Sequence, residues 1–229
     1  MIKADKYQPV GDKNVGYPQI CIRTNRTAER TNMKPIIEKA IAIGEHFPES
    51  EKEIIIREMF KKLGSDFGGG SFGHAWIIYF NSPEEGDNTS YAFHSGYGLV
   101  KNSEHSNDSP KRKFHLQRCV KVDEKTVTPE LIERKLIPQL IDESNRLSKL
   151  MKLTSEDMKN GVYTPITNCS WFAGKLWNQI MSLTFEQSIE NDINIDEWAD
   201  EMNLPFLKDI RGIGDPGMLA ESLEKGLEL

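Results

Sequence analysis

Three side chains have the types that cysteine-based acyl chemistry requires. Cys169 lies in Ile166–Trp177, ITNCSWFAGKLW, directly ahead of an amphipathic run. That arrangement puts a thiol in the first turn of a helix, where unpaired amide N–H groups and the positive end of the helix dipole favour the thiolate. A base must come from elsewhere in the chain. His74 opens Gly73–Phe80, GHAWIIYF, and His94 closes the segment Tyr91–His94. In such a set the thiolate attacks a carbonyl, and one imidazole takes the thiol proton and returns it to the leaving amine. A second polar side chain fixes the tautomer of the first ring, and helix-terminal N–H groups hold the oxyanion.

These residues need elements to position them. His74–Phe80 is rich in β-formers and too short for a typical helix. Asn81–Ser90, NSPEEGDNTS, reads as a turn, and Tyr91–His94 as the returning strand. Antiparallel pairing brings the two histidines together at the edge away from the turn. The cysteine helix is expected over about 168–183, with Phe172, Leu176 and Ile180 as a stripe that packs on a sheet. Tyr17–Arg23 is a further short strand holding Cys21. Lys113–Val122 alternates, with Phe114, Leu116, Val120 and Val122 on one face and His115, Gln117 and Cys119 on the other.

Other helices are expected over Lys34–His46, from Ser50 with capping-box spacing, and from Thr128 to about Leu150 with a kink at Pro138. A short helix is expected around Trp198, and a last one over Asp215–Leu227 with Asp215 as cap. The glycine-rich stretch Gly64–Gly73 lacks the Gly-Lys-Ser/Thr ending of a P-loop and reads as a turn into the strand. His46 reads as structural and His115 as a surface residue.

Composition narrows the function. A net charge of −6 argues against broad nucleic-acid binding. No apolar run reaches the length of a membrane span, and the N-terminal MIKADKYQPVGDKN lacks the apolar core of a signal peptide. The expectation is synthesis in the cytoplasm, with any export by another route. Three widely spaced cysteines argue against a disulfide framework and against CxxC-type zinc binding. Cys21 reads as a small buried residue. His74, His94 and Cys169 have zinc-compatible ligand types, but a helix-cap thiol suits a nucleophile better, so no metal and no cofactor is assigned.

The paired segments GHAWIIYF and YAFHSG resemble the histidine strands of NlpC/P60 enzymes, and NCSWFAGKLW resembles their cysteine helix. The cysteine here follows the histidines, as in the circularly permuted branch of that papain-like superfamily, which includes lecithin:retinol acyltransferase-like proteins whose nucleophile box reads Asn-Cys, like Asn168-Cys169. Trp171 stands where the family usually has glycine. The resemblance implies Cys169 as nucleophile, His74 as base and His94 as orienting residue. It implies an α+β, papain-like fold: an antiparallel sheet packed against the nucleophile helix, with extra helices. The expected organisation is a single domain over 1–229, with a helical region at 1–64, a catalytic core at 65–183 and a helical extension at 184–229. Within the permuted branch the expected activity is cleavage of peptidoglycan stem-peptide amides by a type VI secretion effector acting in a rival cell's periplasm. Its partners would be peptidoglycan or peptide, an immunity protein and a secretion carrier. The alternatives are an acyltransferase, thioesterase or deamidase on the same triad, or an inactive interaction protein.

Overall fold

The computed structural model describes residues 8–67, 72–154, 157–184, 189, 192–193, 196–209 and 213–225. The middle of the glycine-rich stretch and the last two residues expected in the C-terminal helix lie outside these. Runs of β-branched and aromatic residues form β1 (Gln19–Thr24), β2 (Ala75–Phe80), β3 (Asn88–His94), β4 (Gly98–Lys101) and β5 (Leu116–Lys121). They make one five-stranded antiparallel sheet in the order β4-β3-β2-β1-β5. The β2–β3 hairpin pairs Ile77 with Tyr91 and Phe80 with Asn88. β3 therefore begins earlier than composition suggested, because the polar residues Asn88 and Thr89 complete the ladder opposite Phe80 and Tyr79.

β1 is an interior strand, flanked by β2 and β5. All six of its residues are buried, as expected for a strand covered on both faces. It matches the short strand expected at Tyr17–Arg23, but it lies inside the sheet, so the sheet reaches further back in the chain than a core starting at residue 65. The β1–β5 register sets Cys21 opposite Cys119, and a disulfide joins them. This corrects the expectation against a disulfide and the reading of Cys21 as a merely buried small residue: the wide sequence spacing hides a direct cross-strand pair. Phe114 also departs from expectation. It packs with Cys119 on the face of Trp76 and Ile78, whereas Leu116 and Val120 pack on the opposite face. The strand starts only at Leu116, so its two-residue period does not extend back to Phe114.

The helices are α1 (Lys34–Gly44), α2 (Lys52–Phe67), α3 (Pro129–Leu131), α4 (Ile137–Leu150), α5 (Cys169–Thr184), α6 (Asp196–Glu201) and α7 (Pro216–Lys225). A two-stranded ribbon pairs β6 (Asp192–Ile193) with β7 (Ile213–Gly214). Ser50 does not cap α2. It lies inside a 3-10 turn, Glu49–Glu51, whose cap is Pro48. Thr128 does cap α3, accepting the Leu131 N–H at 3.1 Å. Between α3 and α4 runs a π-helical segment, Ile132–Leu136. Pro138 is thus accommodated by a local widening of the helix.

α5 packs on the sheet face of Ile22, Ala75, Ile77, Tyr91 and Phe93 through Phe172, Leu176 and Ile180, all fully buried. Each such side chain contributes about 1.5–3 kcal/mol on transfer from water. α7 joins the same core through Leu219 and Leu223. Asp215 caps it, accepting from Gly217 N and Met218 N, and also ties it to Thr31. No helix among the described residues is long and apolar enough to cross a membrane.

Candidate active site

The turn before α5 is set by side chains that hydrogen-bond their own backbone. Thr164 Oγ1 accepts from Ile166 N and Thr167 N, and Thr167 Oγ1 donates to Val162 O. Asn168 is the cap: its Oδ1 accepts from Ser170 N and Trp171 N, each at 3.0 Å. Its Nδ2 donates to Pro165 O and, at 2.7 Å, to Gly214 O. A buried cap thereby uses its acceptor and its donors, and the β7 segment fixes where the helix begins.

Cys169 follows as the first residue of α5. It is 3% exposed and is the free cysteine. Burial pushes its thiol pKa up. The Ala75 N–H, the Tyr163 hydroxyl and the first amides of α5 donate toward the sulfur and only partly offset that. The thiolate expected from the helix dipole is therefore not the resting form: desolvation outweighs the dipole. Arg112 supplies a cation near enough to interact with a thiolate at this position.

His74 immediately precedes Ala75 at the strand entry; its ring lies on the side of Trp76, whereas Ala75 faces α5. Gly73 makes that entry with φ +79°, and a Cβ there would press at 3.0 Å on Asn25 Oδ1 and Arg26 Cβ. Asn25 Oδ1 accepts the His74 N–H, and Asn25 N donates to His74 O. The His74 ring stacks on Trp76 with centroids 5.6 Å apart. Its Nε2 is 2.7 Å from the His105 carbonyl. A carbonyl only accepts, so Nε2 carries the proton and Nδ1 keeps its lone pair. Burial, aided by Arg112, drives the His74 pKa down to about 3.

His94 stands edge-on to His74 at 6.4 Å between ring centroids. The structure thus brings the two histidines together, with the His105 carbonyl as the hydrogen-bond partner of His74. Neither imidazole is hydrogen-bonded to the Cys169 sulfur among the described residues. His105 is the member that sequence reasoning missed. Its ring lies 4.0 Å from that of His94 and 5.7 Å from that of Tyr97. Burial and the neighbouring His105 lower the His94 pKa.

The loop carrying His105 is pinned at several points. Ser106 Oγ meets Ser90 Oγ at 2.9 Å, and Asn102 Oδ1 accepts Ser90 N. Asp108 is buried, paired with Arg23 of β1, and accepts Trp76 Nε1 at 2.9 Å. Arg112 reaches back to Glu104 O. A third histidine within a polar loop was the available signal for this part of the site, but only the folded-back loop gives it meaning. Tyr163 carried no signal either, since its hydroxyl meets the sulfur through a turn. His115 is exposed, and His46 closes the end of α1 with Nδ1 2.6 Å from Ala42 O. Among the described residues no group of three His, Cys, Asp or Glu side chains is placed to hold a metal ion.

Comparison with protein-family models, with curated proteins and with solved structures found no match.

Proposed function

We propose that this chain is a cysteine amidase or endopeptidase of the permuted NlpC/P60, papain-like type, acting on peptidoglycan stem-peptide amides. One observation carries the reading. The Cys169 sulfur, at the start of a helix that packs on β2, lies beside the backbone of Ala75, the residue next to a histidine whose Nδ1 lone pair is free of its proton. The helix start and the strand entry that bears His74 adjoin at one edge of the sheet, which supports a nucleophile–base pair for acyl transfer through a thiol.

In this mechanism His74 Nδ1 takes the Cys169 proton as the sulfur bonds to the substrate carbonyl carbon. The carbonyl π electrons move to oxygen, where the Ala75 and Cys169 amide N–H groups stabilise the oxyanion. Collapse expels the amine, which takes the proton from the imidazolium and leaves a thioester. Water, deprotonated by His74, then attacks the thioester, and the thiolate leaves and is reprotonated. The His105 carbonyl holds the His74 tautomer throughout, and His94 lines the ring's edge. At rest the pair is neutral thiol and neutral imidazole, so proton transfer is coupled to substrate entry rather than completed beforehand.

The place of action is argued from the Cys21–Cys119 disulfide. Such bonds persist in oxidising compartments, which suits a protein that works in the periplasm of a target cell as an antibacterial effector. The test is incubation of the oxidised protein with purified muropeptides. Wild type releases a new amine and a new carboxylate, and Cys169→Ala and His74→Ala do not. Undiminished cleavage by either variant would sink the assignment.

A further inference from the structure

A cleft of about 420 Å3 opens beside the site, and its walls belong to both halves of it. Among the described residues it is lined by Gly96, Tyr97, Gly98, Asn160, Gly161 and Tyr163, with two neighbours. Tyr163 lines it, packs against Phe93 with ring centroids 6.1 Å apart, and lies close enough to Cys169 to act on its thiol. Tyr97 lines it too, with its ring 5.4 Å from His94 and 5.7 Å from His105.

The floor is built from backbone in close contact. Leu99 N donates to Asn160 O at 2.7 Å, and a Cβ on Gly98 would lie 2.3 Å from that same oxygen. A Cβ on Gly161 would meet Ser144 Oγ at 2.6 Å and Phe93 at 2.9 Å. These glycines let the β3–β4 turn and the segment before α5 close against each other beneath the cleft. Tyr97, by contrast, is 61% exposed and, among the described residues, is one of the few large hydrophobic side chains left open to solvent. An exposed ring held at a cleft mouth by neighbouring rings is a stacking surface, since its apolar face gains by being covered.

Building on the amidase reading above, we propose that this cleft is the substrate groove of the Cys169 site and that Tyr97 is the residue that selects the leaving-amine side of a stem-peptide amide. The direction follows from the chemistry. The acyl carbon must sit at the sulfur, beside Tyr163. The leaving nitrogen must face the imidazole that returns its proton. Tyr97 contacts the histidine cluster, so the residue beyond the scissile nitrogen lies against its ring. The volume lies within the usual range for small-ligand sites and admits a short peptide segment rather than a globular partner.

The test uses the full-length Cys169→Ala protein, which binds without turnover, titrated with a purified cross-linked stem-peptide dimer and followed by calorimetry. Adding Tyr97→Ala weakens binding about tenfold or more, whereas Tyr97→Phe, which keeps the ring, stays within about twofold of the parent. Thermal melts establish that both variants fold. Equal affinity in Tyr97→Ala and its parent, a Tyr97→Phe variant as weak as Tyr97→Ala, or no binding by the parent would each overturn the groove. Tyr97-dependent binding together with undiminished cleavage by the Cys169→Ala protein would instead leave the groove standing and remove the catalytic reading.

Discussion

Cys169 and His74 are both held in their neutral forms by burial, and each form has a measurable consequence. The thiol pKa is raised, so alkylation by iodoacetamide is slow at neutral pH and accelerates as pH rises past the ordinary thiol range. Because Cys21 and Cys119 are joined, the denatured protein yields one labelled cysteine without reductant and three with it, read by intact mass. Fast labelling of Cys169 at neutral pH would contradict a desolvated sulfur. For His74 the folded value is about 3 against an ordinary 6.5. Between those values the unfolded chain binds the proton more readily, so stability is fully present above about 6.5 and is lost as pH falls toward about 3. His74→Asn makes the urea midpoint less pH-dependent across that window, leaving the smaller contribution of His94, whose pKa is also lowered. An unchanged dependence would contradict a buried neutral ring.

At the scale of elements, the start of α5 rests on Asn168. Asn168→Ala removes a cap from two helix amides and a donor from Gly214 O. The cap alone is worth about 1–2 kcal/mol. Asn168→Asp keeps the acceptor but loses the donors, and its melting temperature falls between those of wild type and Asn168→Ala. Elements with strong local signals were legible before folding. β2 announces itself through Trp76–Phe80, α5 through its four-residue stripe, and α7 through Asp215 and Pro216. What was not legible depends on pairing across distance. The interior place of β1, the Cys21–Cys119 register and the side of the sheet that Phe114 takes are set by strand order. The loop bearing His105 is anchored by Arg23 and Asp108, 85 residues apart. Of the site, the cysteine at a helix start and the two hairpin histidines could be named from spacing. His105, Arg112 and Tyr163 could not, since nothing local marks them.

Across the whole molecule, one covalent link ties two strands of the sheet, and one core joins the sheet to the helix that bears Cys169. The disulfide joins residues 98 apart, so its reduction frees a long loop and costs about 2–5 kcal/mol. The expected readout is a lower urea midpoint in reductant, measured in the Cys169→Ala background so that only this pair responds. Equal midpoints would contradict the cross-strand link. The sheet carries the histidines on β2 and β3, α5 carries the sulfur, and α7 with the β7 segment braces the helix start from the far end of the chain. The claim that this assembly is a cysteine hydrolase is tested most directly by digesting purified muropeptides in heavy-oxygen water and analysing the products by mass spectrometry. The account predicts a new amine and a carboxylate carrying one heavy oxygen, formed by wild type and lost in Cys169→Ala. An unlabelled transfer product would point to an acyl acceptor other than water, and the same labelled fragment from Cys169→Ala would contradict the account outright.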